Sequence, residues 1–278
     1  MHAGASLLSC DAAEAGCLEA RRRDPGAALD NNSWAMIPVD AAGLGLPSSS
    51  ATIDIPAGAS VAFAGLYWSG NTPVGADTAT LGSALLAAPG SAPVAIDAQQ
   101  VEQQGTRYLS FLDVTSTVAS GGAGTWSFGG VAVVGGVGAD AGWSLVVVLE
   151  DAALAPTRVA VFDGLQIIAT GSSASYELPA VAGGSATVGV VGWDGDSTPG
   201  DAVLVDGIPL TRAASGAADN AFASYADGAV PIAPGDSNTF GFDTGVFAPV
   251  TTAGGRAVVD LLSPAEVVIL GVVTLVTR

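Results

Sequence analysis

The sequence predicts an all-β fold: a large β-sandwich of jelly-roll type with a short N-terminal arm. Three observations lead there. Short runs rich in Val, Leu and aromatic residues follow one another from about residue 28 to the end, with Gly, Pro, Asp or Ser breaks between most of them. Convincing helical periodicity is confined to residues 1–27. A hydrophobic content of 49% with 38 glycines describes a folded chain with many tight turns and argues against disorder.

Taken in order, residues 1–27 read as an arm that holds both cysteines and the Arg21-Arg22-Arg23 run. Cys10 and Cys17 can form a disulfide closing a short loop, worth about 2 kcal/mol in the chain-entropy model. Alternatively Ala12 to Arg23 forms one helix, in which cysteines seven apart would be separated by about 10.5 Å, beyond disulfide reach. Both readings stay open at this stage. Strands are then expected at Ala51 to Ile55, Ser60 to Ser69, Thr78 to Ala87, Arg107 to Val114, Gly124 to Val134 and Trp143 to Glu150. Further strands are expected at Arg158 to Ile168, Ala174 to Leu178, Ala186 to Trp193, Ala202 to Val205, Asn238 to Phe242, Arg256 to Leu261 and Val267 to Thr277. Val131 to Val134 and Ser144 to Leu149 are apolar on both faces and belong in the centre. No internal repeat or linker divides the region, so residues 28–278 read as one sandwich domain.

Composition narrows the chemistry. The chain has no lysine, eight arginines and one histidine, His2, beside the first methionine. Lysine-based sites and zinc clusters are absent, and His2 at a chain end is a poor base for a nucleophile. A net charge of −18 repels nucleic acid and anionic membranes and attracts cations, so no nucleic-acid partner is expected. The longest apolar run, Val267 to Val276, has strand length, and no transmembrane segment is expected. Leu7-Leu8-Ser9-Cys10 lacks an apolar segment in front of it, so an export signal is expected to have been removed or to lie upstream.

The stretch from Asp194 to Asp201, with Asp206-Gly207 beyond, crowds carboxylates and glycines into a charge-poor chain. Alternating carboxylates beside Gly can wrap oxygen ligands around calcium, and the same residues make hydrogen-bonded turns. The candidate calcium set is Asp194, Asp196, Asp201, Asn220 and Asp243. Glu150-Asp151 and Asp194/Asp196 are candidate carboxyl pairs for hydrolysis. Adjacent residues on a strand point to opposite faces, and loop aspartates in water keep low pKa values, so no enzymatic activity is expected.

At Ala64-Gly65-Leu66-Tyr67-Trp68 the sequence resembles a β-rich domain of bacterial and archaeal cell-surface proteins, often N-terminal to tandem Ig-like repeats. The likeness continues through Asn31-Asn32, Met36 to Asp40, Pro56 to Ala59, Asp113-Val114-Thr115 and Ala141 to Val148. It extends through Val161-Phe162-Asp163-Gly164, Gly195-Asp196, Gly200-Asp201, Asn220, Gly241-Phe242-Asp243 and Gly271 to Thr274, covering roughly residues 28 to 277. Many family members carry a glutamate where this chain has Asp194. Tyr67, Trp68, Trp143 and Trp193 are read as core anchors, Asp163-Gly164 as a turn between strands, and Asp113 to Thr115 as a strand-end hydrogen-bonding group.

The resemblance implies a non-enzymatic, extracellular or cell-surface structural protein: a subunit of a surface layer, appendage or matrix fibre. Self-association is expected through residues 1–27 or through a strand containing Val267, Val268, Ile269 and Leu270, because a free sheet edge supplies affinity without special side chains. The alternative is a monomeric calcium-dependent adhesin or carbohydrate-binding module with a glycan partner. Calcium is the one cofactor this sequence suggests.

Overall fold

A computed structural model describes residues 1–153, 157–212 and 216–278. The chain is all-β, with several antiparallel sheets. The first inner sheet has the spatial order β1 (His2–Ser6), β12 (Ala141–Glu150), β5 (Ser60–Asn71), β9 (Arg107–Asp113) and β8 (Gln100–Gln104). It faces the first outer sheet of β4 (Ser48–Ile53), β10 (Gly124–Gly129), β6 (Ser83–Ala87) and β7 (Val94–Asp97). The second inner sheet runs β13 (Arg158–Ile168), β21 (Val268–Thr277), β15 (Ser185–Trp193) and β18 (Phe242–Val246), with β19 (Val250–Thr251) also on β15. It faces the second outer sheet of β14 (Ser172–Pro179), β20 (Arg256–Ser263), β16 (Ala202–Val205) and β17 (Ile208–Pro209). A small sheet joins β11 (Gly136–Val137), β3 (Ala35–Pro38) and β2 (Leu8–Ser9).

Strand periodicity explains the layering. In β12, Trp143, Leu145 and Val147 enter the first core, while Val146 between them points the other way. In β21, Val273 and Leu275 enter the second core, while Ile269 and Val272 face the first half. Tyr67, Leu109 and Val146 thus meet Val191, Trp193, Phe242, Ile269 and Val272 in a third cluster that joins the two inner sheets. Strands buried on both faces must be apolar on both faces, as β12 and β21 are. Tyr67, Trp68, Trp143 and Trp193 are fully buried.

Several sequence expectations are corrected. Residues 1–27 are no free arm: His2 to Ser6 pair with Gly142 to Val146 as a fully buried strand. Disulfide and helix coexist, because helix α1 (Cys17–Arg22) starts at the second cysteine rather than at Ala12. Cys10 and Cys17 are bonded, with Cα atoms 5.8 Å apart. Arg21 of α1 donates to Asp236 through Nε at 2.9 Å, and the Arg23 guanidinium lies 3.9 Å from the Tyr225 ring centre, so the segment is docked on the second half. Strand exchange through Val267 to Leu270 is set aside, since β21 is paired along one edge with β13 and along the other with β15. Thr78 to Gly82 form helix α2 ahead of β6, because Asp77 caps the start by accepting from the Ala79 N–H. Helix α3 (Thr115–Gly121) follows β9; there Asp113 accepts from the Thr115 N–H at 2.9 Å and Thr115 Oγ1 from the Ala64 N–H at 2.9 Å. Asp163-Gly164 lies inside β13 and is not a turn between strands.

Candidate functional site

The loop between β15 and β16 carries Asp194, Asp196 and Asp201, while Asp243 stands on β18. Asp194 follows buried Trp193 and adopts a left-handed φ of 69°, its N–H donating to Gly241 O at 2.6 Å. Its carboxylate lies 3.2 Å from Arg107 Nη2, while Nη1 of the same guanidinium donates to Asp140 Oδ2 at 2.5 Å and to Asn71 Oδ1 at 2.7 Å. Asp140 is fully buried. Burial and the neighbouring Asp140 charge push the Asp194 carboxyl up to about 7 against the opposing pull of Arg107.

The predicted set divides instead of converging. Asp243 is neutralised separately: Arg212 Nη1 donates to it at 2.9 Å, and the N–H groups of Ser224 and Tyr225 donate at 3.0 and 2.9 Å. Burial still raises it to about 6. Asp201 accepts from the Phe222 N–H at 2.7 Å and makes a side-chain hydrogen bond with Glu266. Burial, followed by the charge of Asp201, pushes the Glu266 carboxyl well up. Asp196 donates its N–H to Glu266 Oε2 at 2.7 Å, and burial together with Asp30 and Asp194 raises its own carboxyl to about 6. Asn220 stands in the segment that runs beside Asp201, its Oδ1 buried without a donor. Among the described residues no group of three or more His, Cys, Asp or Glu side chains is arranged to hold a metal ion. Among Asp194, Asp196, Asp201, Asn220 and Asp243, the carboxylates of Asp194 and Asp243 face arginines, and those of Asp201 and Asp243 accept backbone N–H groups.

Sequence reasoning missed Arg107, Asp140, Arg212 and Glu266, and it misjudged the pKa values of the loop aspartates, which are not in open water. It also misplaced His2. The ring is buried, Nε2 lies 2.9 Å from Thr274 Oγ1 and Nδ1 3.1 Å from Val190 O, and burial presses its pKa down to about 3. His2 lines part of a mostly apolar cavity of about 680 Å³ between the inner sheets, with Val146, Val148, Val159 and Val276; Glu150 and Asp151 also line it.

No family model matches the chain, and no curated protein matches it. Among solved structures it is similar to PNGase F, a glycosylasparaginase from Flavobacterium meningosepticum, at 10% identity and TM-score 0.27, covering 84% of this chain and 90% of that one. It is also similar to a β-porphyranase of glycoside hydrolase family 86 from the human gut bacterium Bacteroides plebeius, at 10% identity and TM-score 0.26, covering 82% of this chain and 32% of that one. The structure of the STIV MCP aligns at 11% identity and TM-score 0.23, over 80% of this chain and 91% of that one. Likenesses at these TM-scores assign neither an activity nor a structural role to this chain. Among the described residues no helix is long and apolar enough to cross a membrane.

Proposed function

We propose that the protein is an extracellular carbohydrate-binding module, each facing pair of sheets being a sandwich of jelly-roll type, with glycan hydroxyls read at the rim of the acidic seam. The observation that carries this reading is the placement of two part-exposed carboxyls, Asp194 and Asp196, at the rim of a buried polar seam. Asp194 and Asp196, both part-exposed, titrate at about 7 and about 6, and Asp196 is hydrogen-bonded to the side chain of exposed Asn32. Near neutral pH such a rim both donates and accepts hydrogen bonds, matching hydroxyls that do the same. The net charge of −18 turns away anionic ligands and leaves neutral glycans as a suitable class. The cystine favours an oxidising compartment.

A glycan array at pH 6.5, probed with the wild-type protein and Asp196→Asn, tests the proposal. Binding to a defined glycan class that falls at least about tenfold in the variant, with its melting temperature kept, supports it. No binding to any glycan, or equal binding by the variant, overturns it. A second reading, acid-assisted cleavage of the bound glycan, is favoured by the raised pKa of Asp196 at a part-exposed position, the condition for a general acid. Cleavage products formed by wild type and absent with Asp196→Asn separate it from binding alone.

A further inference from the structure

Strand β13 contains a bulge beside its partner β21. Asp163 pairs with Val272 and Gln166 with Leu270, so Gly164 and Leu165 fall out of register opposite Gly271. Gly164 takes a φ of 139°, a conformation that side-chain-bearing residues avoid. A cleft of about 290 Å³ opens there, close to the lower end of the ~300–1,000 Å³ range of small-molecule sites.

Its walls are of two kinds. Phe162 is 42% exposed and meets Tyr176 edge-on, ring centres 6.0 Å apart, while Tyr176 O–H is anchored on Gln166. The other polar lining groups are carboxylates. Asp163 Oδ2 accepts from the Tyr67 O–H at 2.8 Å, and Glu102 Oε2, from the edge strand β8, accepts from the Leu165 N–H at 3.0 Å. These bonds fix both carboxylates and leave each with acceptor capacity. Among the described residues no Arg lines the cleft, and the sequence has no lysine to fill it.

We propose that this cleft binds a protonated organic amine, independently of the glycan reading. Two hydrogen-bonded carboxylates and two aromatic rings line the same cleft, so an ammonium there is attracted by the carboxylates, can meet a ring face, and is concentrated by the surrounding negative field. A neutral ligand of the same size gains neither. The amine can sit on a small molecule or on a deacetylated amino sugar, whose chemistry at this point is the same.

Calorimetric titration of the full chain with n-butylammonium, n-butanol, a glucosamine trimer and its N-acetylated counterpart tests the inference. The two amines are expected to bind with an affinity that falls as salt rises, n-butanol is not, and any binding of the N-acetylated trimer is expected to be indifferent to Glu102→Gln. Tighter binding of the trimer identifies an amino sugar, and equal binding identifies the amine alone. Glu102→Gln removes the charge yet still accepts the Leu165 N–H, and Phe162→Ala removes a part-exposed ring. Each should weaken binding about tenfold with an unchanged melting temperature. n-Butanol binding as tightly as n-butylammonium, amine affinity indifferent to Glu102→Gln, or no binding at millimolar amine overturns the proposal.

Discussion

Arg107 of β9 and Asp194 of the loop after β15 stand 3.2 Å apart, an ion pair that ties the first inner sheet to the second. The same guanidinium holds fully buried Asp140. Replacing Arg107 by Met strands the Asp140 charge, and removal of one partner from a buried pair costs about 3–5 kcal/mol. Urea denaturation at pH 7.5 should show a loss of that order. At pH 5 the loss should be smaller, because Asp194 and Asp140 take up protons once the cation is gone. An equal loss at both pH values would show that packing, not charge, explains the role of Arg107.

The seam carboxyls fix the direction of the pH dependence. Asp194, Asp196 and Asp243 titrate near 7, 6 and 6 in the folded state, against 3.8 when unperturbed. Between those limits the native state holds more protons than the unfolded chain, so stability is greatest on the acid side and declines as pH rises through 6 to 7. His2, depressed from 6.5 to about 3, works the opposite way with a single proton. The three carboxyls outweigh it, and the melting temperature should fall from pH 5 to pH 7. Asp196→Asn should reduce the accompanying loss of unfolding free energy by roughly 1–2 kcal/mol, allowing for screening at a part-exposed site. A melting temperature that rises over this interval contradicts the assignment.

How much of this was legible in the sequence depends on what holds each element. Strands such as β5, β12, β15 and β21 show themselves because burial on one or both faces demands Val, Leu and aromatic side chains. Strand β1, His-Ala-Gly-Ala-Ser, does not, since it is held by backbone pairing with β12 and by close approach to Phe242, for which small residues are needed. Edge strand β8, Gln-Val-Glu-Gln-Gln, is mostly exposed and therefore polar. The acidic loop was visible as a cluster, but its counter-charges come from β9 and from Arg212, distant in sequence. The signal available was scarcity: in a chain with eight arginines, Arg107 at the head of a predicted strand has a partner to meet.

The cystine supports the docking of the N-terminal segment. Cys10 and Cys17 are both buried in the first core, and their bond closes a short loop whose restriction in the unfolded chain is worth about 2–3 kcal/mol. Cys10→Ala/Cys17→Ala should lose about that much in chemical denaturation. Reductant should destabilise the wild type and leave the variant unchanged; indifference of the wild type to reductant refutes the prediction.

The seam also explains Gly142. A Cβ at this position of β12 would come within 2.4 Å of the Phe242 ring, and Phe242 is fully buried with its ring centre 5.7 Å from that of Trp193. Neither ring has room to retreat, since interiors pack at crystal-like density. Gly142→Ala should therefore cost about 2–3 kcal/mol through overpacking. Adding Phe242→Leu should recover part of the loss, because the shorter side chain vacates the space the new methyl needs. Gly255→Ala, where an added Cβ meets nothing within 4 Å, serves as the neutral control. If Gly142→Ala is as well tolerated as Gly255→Ala, β12 does not approach Phe242 this closely and the two inner sheets are not joined as described.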